Sequence, residues 1–143
     1  MVLTLRQKLR IVSFILSLAF IHQTKAITYY SRATGNWNAN GTWSTVSFAS
    51  AVNTGSFPIA GDVVNIGGGF TITVNVNSAC ASVTYESNVA RSNTISITGT
   101  NSLTVSGTIT IPRAAGPGTS NINLLAVGTG TLSAATLAFT NTG

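Results

Sequence analysis

Two carboxylate side chains, Asp62 and Glu86, are the only acids in the sequence, and beyond residue 26 there is no histidine or lysine. A glycosidase needs two carboxyl groups about 5–10 Å apart, one on each side of the bond it cleaves. The two acids stand 24 residues apart, which allows proximity, but no neighbouring group would tune them for acid–base work. We therefore predict no catalytic residues. Asp62 is expected to close the turn after Gly61, and Glu86 to be solvated or paired with Arg91.

Cys80 and the run Gly67–Gly69 also have simple structural explanations. Cys80 is the single cysteine, so it has no disulfide partner within the chain, and a free cysteine behaves as a small buried hydrophobe. One cysteine and two isolated acids do not build the usual ligand sets, so we predict no metal and no cofactor. Gly67–Gly69 precedes a predicted strand and no lysine follows it, which favours a turn over a phosphate-binding loop.

The region after residue 26 is rich in aromatic residues. Trp37, Trp43, Tyr29 and Tyr30 are candidate ligand-contacting aromatics, because exposed rings beside asparagine would suit a sugar. The alternative is a hydrophobic cap, in which the indole rings bury large apolar areas. A stack of β-coils requires such a cap, which favours the second interpretation.

The start of the chain has the pattern of a secretory signal peptide. Three basic residues, Arg6, Lys8 and Arg10, precede the uncharged apolar run Ile11–Ile21. This run is shorter than the roughly 20 residues that span a bilayer, and a polar stretch follows it and ends at Ala26. The order predicts a signal peptide over residues 1–26, with no stable membrane span after cleavage. An uncleaved anchor or a buried helix is the alternative.

Cleavage after Ala26 would leave Ile27 as the first residue, with Thr24 and Ala26 at the two recognition positions before the cut. The protein would then be secreted or lie at the cell surface. Four of the seven basic residues lie in the leader, so the formal charge falls from +5 to 3 − 2 = +1. Nucleic-acid binding needs clustered Lys and Arg, and we therefore exclude it.

Period-two alternation dominates the chain after Pro58. Residues 62–66, 70–76 and 81–85 are predicted strands, and no window outside the leader has the spacing of an amphipathic helix. We predict an all-β fold with three segments. These are a signal peptide at 1–26, an aromatic N-terminal cap region at 27–57, and β-solenoid coils at 58–143 that continue beyond Gly143 in a longer protein.

An internal repeat in the last third predicts the architecture. Its matches are Ser92-Asn93 with Ser120-Asn121 at an offset of 28, Leu103 with Leu132 at 29, and Ile109 with Leu137 at 28. A period of 20–50 residues built from short strands indicates a solenoid, here a parallel β-helix. An antiparallel sandwich of short strands is the alternative. In the solenoid Leu132 would pair with Leu103 and Leu137 with Ile109. The inward apolar residues of all strands, Leu124 and Leu137 included, would then share one buried core.

Three segments of the mature sequence, Tyr29–Asn38, Gly41–Ser44 and Pro58–Ile66, combine two tryptophans with a P-x-x-G-D-x-V-x-I motif. Together they resemble the opening of large secreted bacterial surface proteins of the adhesin-like β-solenoid kind. In that family a Trp-containing cap leads into this motif and then into Thr-rich coils. A weaker resemblance is to the eight-glycine domain of extracellular proteins.

This resemblance implies a non-catalytic structural or adhesive module, with glycans or other cell-surface components as partners. Two alternatives stay open. One is a carbohydrate-binding module that uses Trp37 and Trp43. The other is the N-terminal part of a solenoid enzyme acting on polysaccharides, whose catalytic coils would lie beyond Gly143.

Overall fold

The computed structural model describes residues 25–87, 91–113 and 122–140, and in this part of the chain the fold is all-β, as predicted. Among these described residues, the one helical element is a short 3₁₀ turn at Asn40–Thr42. The strands are β1 (Thr28–Ser31), β2 (Gly35–Asn36), β3 (Trp43–Ser44), β4 (Val63–Ile66), β5 (Thr71–Val74), β6 (Ser78–Cys80), β7 (Ser82–Tyr85), β8 (Asn93–Ile97), β9 (Ser102–Pro112), β10 (Asn123–Ala126) and β11 (Thr131–Thr140). No helix in these three stretches has the length and apolar character needed to cross a membrane.

The strands form two sheets. The larger sheet has seven strands in the order β11-β9-β7-β4-β1-β3, with β6 beside β9, and the smaller has the order β10-β8-β5-β2. The larger sheet is mixed, because β1 and β3 pair antiparallel. The other pairs between the described strands are parallel.

The pairing of β9 with β11 has the register that the repeat predicted. Leu103 lies opposite Leu132, and Ile109 lies opposite Leu137, in parallel strands. The offset changes from 29 to 28 at an irregularity between Ala134 and Thr136. This β-bulge leaves β9 with one extra residue against β11.

Gly107 lies at this bulge and allows a close approach of two backbones. Its N–H donates to the Ala81 carbonyl oxygen at 2.8 Å, and a Cβ on Gly107 would lie 2.8 Å from the same oxygen. A side chain here would force backbone atoms apart, so the position favours glycine.

One repeat match from the sequence is corrected by the register of β8 and β10. Ser120 and Asn121 lie outside the described residues, and the structure instead pairs Asn93 with Asn123, at an offset of 30. The two side chains are bonded, with Asn93 Nδ2 donating to Asn123 Oδ1 at 2.9 Å. Ten residues separate β9 from β10 but only seven separate β7 from β8, so the offset taken from the Ser-Asn dipeptide does not match the strand register.

The core lies between the sheets and contains the inward half of each alternating strand. Its buried aliphatic residues are Val64, Ile66, Ile72, Val74, Val83, Ile95, Ile97, Leu103, Val105, Ile109 and Ile111. Leu124 and Leu137 were also predicted to be buried, but they are 41% and 45% exposed. Leu137 lies opposite the buried Ile109 on β11, which no further described strand covers. Leu124 lies on β10 opposite Thr94, on the outward face, and Leu125 takes the inward position opposite Ile95.

The region 27–57 shares both sheets with the rest of the chain. β1 pairs parallel with β4 in the larger sheet, and β2 pairs parallel with β5 in the smaller one. Three of its aromatic residues, Tyr29, Trp37 and Trp43, join the same buried cluster as the aliphatic core. The described part of the predicted cap is therefore continuous with the strands that follow it.

Candidate functional site

The candidate ligand-contacting aromatics fall into two environments. Trp37, Trp43 and Tyr29 are 1%, 0% and 2% exposed, whereas Tyr30 is partly exposed. The Trp37 and Trp43 rings meet edge-to-face at 5.2 Å between centroids, and Tyr29 meets Trp43 at 6.3 Å. Such pairs add stability beyond the area they bury.

The polar atoms of these buried rings are all bonded within the protein. Trp43 Nε1 donates to the Trp37 carbonyl at 2.7 Å, Trp37 Nε1 donates to the Pro58 carbonyl at 3.1 Å, and the Tyr29 hydroxyl bonds Ser56 Oγ at 2.9 Å. A sugar ring stacks on an exposed aromatic face, and these rings offer none. Trp37, Trp43 and Tyr29 are thus packed into the core rather than presented to a ligand, and their packing agrees with the cap interpretation.

Asp62 closes the turn that precedes β4, as its sequence position predicted. Its side chain is 5% exposed, and Oδ2 accepts the Ile59 N–H at 2.9 Å, while the Asp62 N–H donates to the Ile59 carbonyl at 3.1 Å. Gly61 has a φ of +94°, which this turn requires and which glycine adopts without strain. The other carboxylate oxygen of Asp62, Oδ1, accepts the Ile27 N–H at 2.9 Å.

Glu86 holds the glycine turn, which corrects its predicted role as a solvated group or a partner of Arg91. Glu86 Oε2 accepts the Gly68 N–H at 2.8 Å. The Gly67 N–H donates to Ser31 Oγ at 2.8 Å, and the Gly69 N–H donates to Asn93 Oδ1 at 2.9 Å. Three consecutive N–H groups are thus occupied by the protein's own side chains. The turn has no free donors for a phosphate, as the sequence indicated.

Cys80 ends β6 with its side chain buried. Burial, with a smaller contribution from the negative charge of Asp62, raises the pKa of the Cys80 thiol to about 12. A nucleophilic cysteine must be a thiolate at working pH. The environment of Cys80 therefore favours the neutral thiol and a packing role.

A shallow groove beside Tyr30 is the best candidate for ligand contact. It has a volume of about 310 Å³ and is lined by Tyr30, Phe48, Asn65, Thr84 and Glu86, among others. Tyr30 and Phe48 meet edge-to-face at 5.3 Å between ring centroids. The groove thus combines partly exposed aromatic rings with amide, hydroxyl and carboxylate groups, a combination that suits a polar ring-shaped ligand.

The polar lining of this groove follows from the strand register. Tyr30 pairs with Asn65, Asn65 with Thr84, and Thr84 with Thr110. Their side chains share one face of the larger sheet, because residues paired in register lie side by side across parallel strands. The face is therefore a row of an aromatic, an amide and two hydroxyl groups.

The sequence named Tyr30 as a candidate ligand-contacting aromatic but did not predict this groove or its members Phe48, Asn65 and Thr84. Asn65 and Thr84 stand at outward positions of strands with alternating burial. The alternation predicts that both face outward, but only the register shows that they lie side by side. Phe48 lies in an irregular loop between β3 and β4, and no periodicity places it beside Tyr30.

Within residues 25–87, 91–113 and 122–140, no three His, Cys, Asp or Glu side chains are grouped so that they could hold a metal ion. Comparisons of the chain with protein-family models, with curated proteins and with solved structures gave no match.

Proposed function

We propose that this chain is a non-catalytic structural or adhesive module of an exported bacterial cell-surface protein, built as a parallel β-solenoid. One observation carries the proposal: the parallel strands fall into three rows. The first row contains β1, β4, β7 and the second halves of β9 and β11. The second contains β2, β5, β8 and β10. The third contains β6 and the first halves of β9 and β11.

From β4 onward the chain visits these rows in a constant order, first, second and third, and completes that circuit three times before it returns to the first row. A constant order with parallel neighbours is what stacked coils produce, since each coil contacts only the next. The Asn93–Asn123 bond supports the same interpretation, because identical side chains stack at equivalent positions of successive coils. The antiparallel β3 then belongs to the capping region.

The non-catalytic part of the proposal rests on how the two acids are used. Both Asp62 and Glu86 accept backbone N–H groups in turns, so each acts as a structural acceptor. Export rests on the leader pattern of residues 1–26, of which residues 1–24 lie outside the described part of the chain.

A second candidate function, glycan binding, is favoured by the groove at Tyr30 rather than by the tryptophans. Tyr30 and Phe48 offer partly exposed aromatic faces, and Asn65, Thr84 and Glu86 offer hydrogen-bonding groups beside them. The candidate ligand is a neutral sugar unit of a surface polysaccharide.

Export predicts a defined first residue. When the full chain is expressed in a bacterial host, N-terminal sequencing of the exported protein is expected to begin at Ile27, because a small residue at Ala26 ends the leader pattern. The unprocessed chain from the cell interior is the control and starts at Met1. An exported protein that starts at Met1 would contradict the proposal.

A polysaccharide panel tests both the adhesive and the non-catalytic parts. We expect binding without release of sugar products, and Tyr30→Ala should weaken binding about fivefold, since one aromatic contact is worth about 1 kcal/mol. Val46→Ala, at an exposed position outside the groove, should leave binding unchanged. Product release that Asp62→Asn or Glu86→Gln abolishes would overturn the non-catalytic proposal.

A further inference from the structure

The Asp62 carboxyl group is an unusual buried acid. It is 5% exposed, and its two oxygens accept the amide N–H groups of Ile27 and Ile59, each at 2.9 Å. Among the described residues, no lysine or arginine nitrogen lies within 4.0 Å of it. A carboxylate removed from water is costly unless a cation or several strong donors compensate it. Two neutral amides leave this site short of positive charge.

One of those two donors is the nitrogen that cleavage of the leader would release. Ile27 follows Ala26, the predicted end of the signal peptide, and Lys25, Ala26 and Ile27 are all exposed. The Ile27 carbonyl oxygen accepts the Val63 N–H at 2.9 Å. Ile27 is therefore fixed by β4 through its carbonyl and by Asp62 through its nitrogen.

We propose that removal of residues 1–26 makes Asp62 a binding site for the new α-ammonium group of Ile27. The inference rests on the proposed cleavage after Ala26. Hydrolysis of the Ala26–Ile27 bond adds the hydroxyl of one water to the Ala26 carbonyl carbon and a hydrogen to the Ile27 nitrogen. The released amine then takes a proton from solvent and becomes –NH₃⁺. A neutral amide contact at 2.9 Å becomes a buried ion pair at the same position.

The surroundings can accommodate the larger group. A cavity of about 510 Å³ borders Ile27 and Asp62, with Lys25, Tyr29 and Ser56 also on its wall. Cleavage would remove Lys25, and the Cys80 thiol, which Asp62 also influences, stays neutral because burial raises its pKa. The ammonium group has three donors, of which one replaces the existing amide N–H. The cavity gives the other two room to bind water. Processing would therefore tie the first strand to the turn before β4 more tightly than in the precursor.

The sequence makes this site unusually easy to test. Residues 27–143 contain no lysine, so the Ile27 nitrogen is the single primary amine of the processed chain. Reductive methylation with ¹³C-formaldehyde keeps the positive charge and gives one NMR signal that reports the pKa of this amine. Acetylation keeps an N–H donor but removes the charge, and so reproduces the amide of the precursor.

The chain that begins at Ile27 is expected to show an amine pKa at least about one unit above the ordinary 7.7–8.0. Acetylation should lower the folding equilibrium constant about tenfold at pH 6.5. Because the folded amine has the higher pKa, the stabilisation is complete below about pH 7.7 and is lost as the pH rises through the raised value. In Asp62→Asn the pKa should return to its ordinary range, whereas Glu86→Gln, which removes the other acid, should not move it.

An amine with an ordinary pKa in the processed wild-type chain would overturn the inference, and this measurement does not depend on the folding of any variant. The test is also separate from export. A chain cut in vitro before Ile27 examines the ion pair even if the cell cleaves elsewhere. An exported protein that begins at Ile27 with an ordinary amine would leave the processing proposal standing and remove the ion pair.

Discussion

Replacing Ile97 with Asp is expected to unfold the protein. Ile97 is 2% exposed in the core between the two sheets, so the substitution would bury a charge among aliphatic side chains without a partner. An uncompensated buried charge costs several kcal/mol or more, which is comparable to the whole stability of a domain of this size. Far-UV circular dichroism and urea denaturation would show the loss directly.

Thr104→Lys provides the matched control for this substitution. Thr104 lies on β9 between the buried Leu103 and Val105, and its side chain is exposed. A charge there remains in water, so the free energy of unfolding should change by no more than about 0.5 kcal/mol. A native-like urea midpoint for Ile97→Asp, or a large loss for Thr104→Lys, would contradict the assignment of inward and outward faces.

Trp43→Ala is expected to cost about 3–5 kcal/mol of unfolding free energy. The ring is fully buried, packs edge-to-face on Trp37 and Tyr29, and donates to the Trp37 carbonyl. The substitution removes these contacts, leaves a cavity and orphans a buried acceptor. Urea denaturation followed by the fluorescence of Trp37, which the variant retains, would measure the effect.

Phe139→Ala is a suitable comparison, because it also removes an aromatic ring but from a side chain that is 74% exposed. We expect a change within about 0.5 kcal/mol. If Trp43→Ala were as mild as Phe139→Ala, the aromatic cluster would not be the stabilising end of the core, and its role in ligand contact would have to be reconsidered.

The strands after Pro58 could be predicted because the alternation of apolar and polar residues indicates directly which side chains face inward. Residues 62–66, 70–76 and 81–85 contain β4, β5 and β7, and the β9–β11 register followed from the repeat. The prediction that Leu137 is buried failed because alternation gives the inward direction of a side chain but not whether another strand covers it. The prediction for Leu124 failed because two leucines are adjacent there, and the inward one is Leu125.

The capping region and the glycine turn could not be predicted in the same way. Their contacts are single side-chain bonds to distant backbone groups, such as Arg32 Nε to the Ser50 carbonyl and Glu86 Oε2 to the Gly68 N–H. Such bonds have no period in the sequence, and each depends on which turns the tertiary structure brings together. The groove at Tyr30 was missed for the same reason, since its members come from a loop and three strands.

The parallel pairing has a consequence for the order in which the chain can fold. The separation between successive partners in a row ranges from 19 residues at Val63 and Ser82 to 37 at Gly35 and Ile72. Each new strand therefore closes a loop of moderate length onto a strand that is already in place. The entropic cost of loop closure rises only slowly over this range. Strands can therefore be added one after another from the aromatic region 27–57 onward, without pairing to a strand much further along the chain. A chain that emerges from a membrane N-terminus first could assemble in the order in which it appears.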